Sequence, residues 1–154
     1  MVEYSEKLAR QVESYLKSQE WKYDFDTEDG VFRFGMNLEN KMHSCKMNIV
    51  VGSAIITSYA VSHIGADADS MAQAANYLTR ANYGLKLGNF ELDVRDGEVR
   101  YKSALFCGDD VPALKVVERV VDVSFQMMQA YGDGLLSVIF SGADPAQEIA
   151  KIED

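Results

Sequence analysis

Cysteine, proline and histidine are scarce in this sequence, and no long apolar run is present. Its 154 residues include 2 cysteines, 2 prolines and 2 histidines. Cys45 and Cys107 form no Cys-x-x-Cys motif and are too few for a disulfide framework, which indicates a reducing compartment. No apolar stretch reaches the ~18 residues of a membrane-spanning helix, and the first residues lack the basic and apolar regions of a signal peptide. We therefore expect a cytoplasmic protein with no membrane partner.

Basic residues are also fewer than acidic ones. The sequence has 15 Lys and Arg residues against 24 Asp and Glu residues, for a formal net charge of −9. Because nucleic acids and anionic membranes attract basic proteins, this balance argues against both as partners. Hydrophobic residues make up 47% of the chain and charged residues 25%, which is typical of a globular protein. The length predicts a single domain with a sizeable core.

Hydrophobic periodicity predicts an α+β protein. Three amphipathic helices are expected, at residues 2–18, at residues 68–87 and after Val111, and alternating apolar residues between them predict about six strands. The predicted order is α-β-β-β-β-α-β-β-α, with an antiparallel sheet and flanking helices. Residues 1–141 are expected to form the domain, and residues 142–154 a loosely ordered C-terminal tail.

Two Asp-Gly pairs predict hairpins with two-residue turns, Asp29-Gly30 in the first half of the chain and Asp96-Gly97 in the second. Each turn determines which residues face each other, and both registers place opposite charges across from one another. The expected cross-strand pairs are Asp26 with Arg33 and Phe25 with Phe34 in the first hairpin, and Asp93 with Arg100, Glu91 with Lys102 and Leu92 with Tyr101 in the second.

A third predicted hairpin consists of strands at residues 44–51 and 54–61, joined at Gly52-Ser53. Residues 49–51 are all β-branched and apolar, and Ile55 and Ile56 follow closely, so apolar side chains lie on both faces of the hairpin. This pattern is typical of central strands or of a strand pair covered by another subunit. It is the first indication of an oligomer.

The third helix has an apolar surface that is too wide for one sheet face. Apolar side chains cover ~200° of its circumference, beside a polar stripe ~100° wide that includes Arg119. Either a helix of the same chain or another molecule covers the second side. Gly132-x-Gly134 is interpreted as the end of this helix, and the apolar residues that follow it, Leu135, Leu136, Val138, Ile139 and Phe140, are one source of internal cover. The candidate protein-contact residues are Val116, Val120, Val123 and Met127 on this helix, and Tyr77, Arg80 and Tyr83 on the second.

Nothing in the sequence predicts a catalytic residue, a metal site or a cofactor. The acidic residues before Gly30 lack the glycine and the closing carboxylate of a calcium loop at the required positions. His43 and Cys45 have no third residue to orient them for nucleophilic catalysis, and the histidines and cysteines lack metal-ligand spacing. Gly132-x-Gly134 follows a helix, whereas a phosphate-binding loop follows a strand. We therefore expect a protein that is not an enzyme.

Three segments of the chain resemble the YbjN family. They are residues 21–35 (WKYDFDTEDGVFRFG), 78–101 (LTRANYGLKLGNFELDVRDGEVRY) and 131–139 (YGDGLLSVI), of which the second is the most specific. The resemblance spans about residues 5–140. It implies the fold of type III secretion chaperones, with a helix, antiparallel strands, a second helix, a strand pair and a third helix, often as a dimer. The family is labelled a bacterial sensory transduction regulator and has no established reaction or ligand, so the resemblance implies no catalytic residue.

Two hypotheses about function follow from these observations. The first is a non-enzymatic, cytoplasmic, chaperone-like or sensory factor that binds protein partners and acts as a homodimer. Extended or amphipathic segments of a partner would lie on its exposed apolar strips. The alternative is a small-molecule- or metal-responsive regulator with a pocket between the second helix and the sheet, near Tyr77, Arg80 and Tyr83.

Overall fold

Helices and antiparallel strands follow one another in the order expected from the sequence, with one additional helix near the C-terminus. The computed structural model describes residues 2–153. Its elements are α1 (Glu6–Ser18), β1 (Asp24–Asp26), β2 (Val31–Asn37), β3 (Ser44–Val51), β4 (Ile55–Val61), α2 (Met71–Gly84), β5 (Asn89–Leu92), β6 (Val99–Phe106), α3 (Leu114–Ser141) and α4 (Pro145–Glu153). The predicted α+β class and its order of elements are confirmed.

The six strands form one antiparallel sheet in the order β1-β2-β3-β4-β6-β5. Side chains alternate between its two faces. On β3 and β4, Met47, Ile49 and Ile56 are buried beneath the helices, whereas Val50 and Thr57 point the other way and are half-buried. The predicted β3–β4 hairpin therefore lies at the centre of the sheet, with one face in the core and the other open.

An aromatic cluster joins α1, β2 and α3. α1 begins at Ser5, whose hydroxyl oxygen accepts a hydrogen bond from the Leu8 N–H, as expected of an N-terminal cap. Beyond the end of α1, the Trp21 ring stacks on Phe34 with a centroid separation of 5.6 Å. The same ring meets Tyr15 of α1 edge-on at 5.7 Å and Phe125 of α3 at 5.9 Å. This cluster holds the two helices against the β2 side of the sheet.

Three buried serines join α3 to two of the central strands. Ser58 on β4, Ser103 on β6 and Ser124 on α3 are each at most 5% exposed. The Ser124 Oγ lies 2.9 Å from the Ser58 Oγ and 3.0 Å from the Ser103 Oγ, and the Ser103 hydroxyl donates to the Val120 carbonyl. These mutual hydrogen bonds satisfy the buried hydroxyls. Because the side chains are small, α3 can approach the sheet closely.

α3 does not end at Gly132-x-Gly134, so that prediction is wrong. The helix runs without interruption from Leu114 to Ser141. A Cβ atom at Gly132 would come within 2.7 Å of the Asn40 side chain, and one at Gly134 would meet the Tyr77 hydroxyl. Both glycines therefore allow close approach of neighbouring side chains, and this packing outweighs the low helix propensity of glycine.

Residues 145–153 form a docked helix rather than the loosely ordered tail expected from the sequence. α4 packs against α2 and α3, and Pro145 and Ile149 are buried there. Together with α1, α2 and the sheet, α4 covers most of the wide apolar surface of α3. The internal cover therefore comes from α4. Residues 135–140, which were expected to supply it, belong to α3 itself.

Both Asp-Gly hairpins have longer loops than predicted. The loops share the pattern Asp-x-x-Asp-Gly, at residues 26–30 and 93–97. In each, the glycine N–H donates to the carbonyl oxygen of the first aspartate, at 2.8 Å for Gly30 and 2.7 Å for Gly97. The first aspartate also accepts hydrogen bonds from loop N–H groups through its side chain. These bonds close a wider loop, with both glycines at positive φ.

The wider loops shift the register of both hairpins by two residues from the prediction. Phe25 faces Phe32 instead of Phe34, and their rings stack at 4.1 Å. In the second hairpin, Phe90 takes the place opposite Tyr101 that was expected for Leu92. By register, Asp24 lies opposite Arg33 and Glu91 lies opposite Arg100. The predicted Asp26–Arg33 and Glu91–Lys102 ion pairs nevertheless form between diagonal neighbours, at 3.4 and 2.8 Å, whereas Asp93 pairs with Arg95 in place of Arg100.

Candidate protein-binding groove

An apolar groove lies between the first turns of α3 and the C-terminal half of β6. It encloses a cavity of about 240 Å³. We call it the α3–β6 groove, and the residues that line it are Leu87, Gly88, Ser103, Ala104, Leu105, Val116, Arg119, Val120 and Val123. Three of the seven residues predicted to contact a protein partner are brought together here.

The α3 side of the groove is a stripe of valines. Val116, Val120 and Val123 recur at helical spacing and share one face of α3. Val116 is 38% exposed at the mouth of the groove, and Val120 is 7% exposed further in. Met127 continues the stripe, but it packs against the core outside the groove. The predicted contact residues of α3 therefore divide into three that line the groove and one that does not.

The β6 side of the groove carries a free strand edge. β5 is only four residues long and pairs with residues 99–102, so residues 103–106 of β6 pair with β4 alone. Alternate residues of an antiparallel strand direct their N–H and C=O groups to opposite neighbours. Because the Cys107 N–H donates to Ala54 on the β4 side, the backbone groups of Ala104 and Phe106 point to the open side. Within residues 2–153 they have no hydrogen-bond partner there.

Arg119 is the one charged residue that lines the groove. Its side chain is exposed, and no ion pair joins it to any of the described residues, 2–153. Arg100 and Lys102, by contrast, both pair with Glu91, at 2.7 and 2.8 Å. The sequence placed Arg119 in the polar stripe of α3, and its exposure agrees with that prediction.

The three predicted contact residues of α2 do not form one surface. Tyr77 is fully buried, and its hydroxyl donates to the Tyr131 carbonyl oxygen at 2.7 Å. Arg80 donates to Asn76 on the same helix, whereas Tyr83 is 96% exposed. Tyr77 fills the space between α2 and its neighbours where the alternative hypothesis placed a ligand pocket. The buried Tyr77 side chain is therefore not accessible to a partner, and a ligand pocket beside α2 stays a prediction.

Neither cysteine is activated as a nucleophile, because burial raises the pKa of both thiols. Burial raises the pKa of the Cys45 thiol to about 12, so the group is protonated at neutral pH and is a poor nucleophile. His43 and His63 are exposed. Within residues 2–153, no three His, Cys, Asp or Glu side chains are grouped so that they could hold a metal ion. Over the same range, no helix has the length and apolar character needed to cross a membrane.

The outer face of the sheet is a second exposed surface. Ile55 of β4 faces Phe106 of β6, and these side chains are 39% and 77% exposed. In the next row on the same face, Val50, Thr57 and Ala104 lie side by side across β3, β4 and β6. These five residues form an apolar strip, which we call the outer strip.

Solved structures with very different sequences share this fold. The structure of YbjN from E. coli, described as a candidate transcription regulator, matches with a TM-score of 0.62 at 10% sequence identity, covering 84% of this chain and 89% of that chain. A structure of the ExsC–ExsE complex matches with a TM-score of 0.52 at 12% identity, covering 85% of this chain and 94% of that chain. No protein-family model matches the sequence, and no curated protein does either. The predicted YbjN-like and secretion-chaperone-like fold is thereby confirmed, as a likeness of fold.

Proposed function

We propose that this protein is a non-enzymatic, cytoplasmic binding factor, chaperone-like or regulatory, that acts as a homodimer and holds a segment of another protein in the α3–β6 groove. The observation that carries the proposal is the exposed apolar mouth of the groove at Val116 and Leu87, beside an unpaired strand edge. Exposed apolar surface of this kind marks interaction sites. One fact supports a protein as the occupant: a solved structure with this fold is a complex of two proteins.

Substituting aspartate for Val116 is expected to abolish partner binding. The carboxylate would lie at the mouth of the groove, and binding a partner would bury it among apolar side chains at a high desolvation cost. We expect a tagged wild-type protein to retain a partner from an extract of its source organism, and Val116→Asp to retain it at least about tenfold less, equivalent to ~1.4 kcal/mol. Quantitative mass spectrometry of the eluates measures this ratio.

Val111→Asp is the matched control, because Val111 is 47% exposed and does not line the groove. It is expected to retain the partner like the wild type. Equal recovery of the same proteins by Val116→Asp and the wild type would refute binding in the groove.

The homodimer is assigned to the outer strip, because an open apolar sheet face is a natural contact between two copies. We expect light scattering of the purified protein to give twice the chain mass of 17.2 kDa, and Ile55→Glu to shift the protein to monomer. Val94→Glu changes a loop residue that is 71% exposed and is expected to leave the dimer intact. A wild-type protein that stays monomeric at micromolar concentration would contradict the dimer.

A further inference from the structure

We infer that a phosphate monoester binds in an open cavity on the outer face of the sheet, above Gly35 of β2. This inference goes beyond the proposed function and depends on neither the α3–β6 groove nor the homodimer. The cavity measures about 500 Å³, which is within the range of small-molecule sites. We call it the Gly35 cavity, and its outward-facing lining residues are Gly35, Asn37, Ser44, Lys46 and His63.

Gly35 forms the floor of the cavity. The residue is exposed, and a Cβ atom there would meet no other atom within 4 Å. Lys46 lies opposite Gly35 on β3, and Asn37, two residues along β2, lies opposite Ser44. Residues two apart on a strand and residues opposite each other point to the same face. A glycine among these longer side chains therefore leaves a depression in the outer face.

His63 closes the cavity on the side of β4. Lys46 pairs with Val61, the last residue of β4. His63 follows two residues later, and both His63 and Ser44 line the cavity. Polar side chains therefore reach the space above the glycine from β2, from β3 and from the end of β4.

The four polar side chains are hydrogen-bond donors that the fold leaves unpaired. Among residues 2–153, Lys46 and His63 form no ion pair. No side-chain hydrogen bond of Asn37 or Ser44 forms within the same range. The chain has 24 acidic residues, yet none of those described lines the cavity. A cavity with several free donors, an ammonium group and no carboxylate is complementary to an anion.

The positions of the donors favour phosphate over carboxylate. A carboxylate has two oxygens in one plane, whereas a phosphate monoester has three strong acceptor oxygens and a larger negative charge. Asn37, Lys46 and His63 approach from three chain segments, so they can bind different oxygens of one tetrahedral group. An imidazole donates at least one N–H in either protonation state. The Lys46 ammonium supplies the charge.

The Gly35 cavity stays accessible in the proposed homodimer. The outer strip reaches Val50, which is four residues from Lys46 along β3, or about 14 Å. Because the site is open to water, each contact contributes little, and we expect a Kd in the millimolar range for inorganic phosphate.

NMR titration of the ¹⁵N-labelled full-length protein with sodium phosphate tests the inference. Sodium chloride keeps the ionic strength constant, so that screening does not change. We expect the amide signals of Gly35, Ser44 and Lys46 to shift and to saturate together. A carboxylate inside the cavity repels the anion, so Lys46→Glu is expected to bind at least about tenfold more weakly.

Lys115→Glu is the matched control, because it makes the same change of charge at an exposed position of α3. Its affinity for phosphate is expected to stay within about twofold of wild type. Equal weakening by the two charge reversals would overturn the inference, as would a wild-type protein whose three signals do not saturate by about 50 mM phosphate.

Gly35→Val fills the floor of the cavity without disturbing the fold. The Cβ atom has free space, and β-branched residues suit a strand better than glycine does. We therefore expect a variant at least as stable as the wild type in thermal unfolding, with phosphate binding lost. A folded Gly35→Val protein that binds phosphate like the wild type would refute the site.

Three further ligands define what the cavity accepts. Sodium acetate is expected to leave the signals of Gly35 and Lys46 in place, and binding of acetate equal to that of phosphate would refute the choice of phosphate. Glycerol 3-phosphate represents a free organic phosphate, and acetyl-glycyl-phosphoseryl-glycine amide represents a phosphorylated protein. The tighter of the two identifies the source of the phosphate group, and failure of both to bind would contradict the inference. Partner recovery by Val116→Asp tests the proposed function separately, since neither Gly35 nor Lys46 lines the α3–β6 groove.

Discussion

Replacing Gly134 with alanine is expected to lower the free energy of unfolding by roughly 2–4 kcal/mol. The new Cβ would meet the hydroxyl of Tyr77 and come within 3.0 Å of its ring. Tyr77 is fully buried and hydrogen-bonded to the Tyr131 carbonyl, so its ring has no space into which to move. The gain in helix propensity, ~1 kcal/mol for glycine to alanine, offsets only part of this cost. Urea unfolding followed by circular dichroism measures the difference.

Gly84→Ala is the matched control for this prediction. Gly84 is the last residue of α2, and a Cβ there makes only ordinary contacts, 3.8 Å from the Glu153 carboxylate. This variant is expected to be as stable as the wild type or slightly more stable. Removing the hydroxyl with Tyr77→Phe in the Gly134→Ala background is expected to recover part of the loss. A stable Gly134→Ala protein would show that α3 and α2 pack less closely than described.

Replacing Ser124 with leucine is expected to destabilise the protein by roughly 2–5 kcal/mol. Ser124 is fully buried between β4 and β6, so a larger side chain must push α3 from the sheet. The change also removes the hydrogen bond that the Ser58 hydroxyl oxygen accepts from Ser124, which adds the cost of a buried polar group left without its partner. Thermal and urea unfolding measure the loss, and Ser141→Leu, at an exposed position of the same helix, is expected to be near neutral.

The serine cluster itself is tested by alanine substitution. Ser124→Ala alone leaves its serine neighbours without a partner, whereas replacing all three serines removes both partners of each serine–serine bond. We therefore expect the triple variant Ser58→Ala, Ser103→Ala, Ser124→Ala to lose less stability than the sum of the single variants. Strict additivity would mean that the three hydroxyls do not act as one network.

The order of the elements was predictable because periodicity reports burial directly. The central β3–β4 hairpin, for example, carries apolar residues on alternate positions that face α3, and its bounds agree closely with the predicted ones. Hairpin register was not predictable in the same way. An Asp-Gly pair favours a two-residue turn. The side chains of Asp26 and Asp93, however, accept hydrogen bonds from loop N–H groups and make a wider loop more stable.

The candidate site depended on that same register. In the predicted pairing, Asn89 would lie opposite Ala104, whereas the observed loop places Asn89 opposite Lys102. The shift of two residues moves β5 toward the turn and uncovers the backbone of Ala104 and Phe106. The valines of α3 were predictable as a stripe. The free edge of β6 beside them, however, results from the length of the β5–β6 loop at the other end of that hairpin.

The helical cover of α3 was missed for a different reason. Ile149 and Ile152 are the only large apolar residues in a segment of nine, so α4 has a weak periodic signal. Short helices of this kind are stable only when tertiary packing supports them. The buried Tyr77 and Tyr131 beneath α4 supply that packing, and no local sequence pattern predicts it. Likewise, the local sequence around the two glycines of α3 predicts the end of a helix. Their role in close packing is visible only in the folded chain.

The aromatic cluster around Trp21 gives this protein an internal optical reporter. Trp21 is the single tryptophan of the chain, and its indole lies against Tyr15, Phe34 and Phe125. β3 and β4 separate β2, where Phe34 lies, from β6, a distance of about 14 Å across the sheet. The intrinsic emission of Trp21 therefore follows the packing of α1, β2 and α3. Unfolding is thus measurable by spectroscopy in the unlabelled protein, through a contact that joins two helices and the sheet.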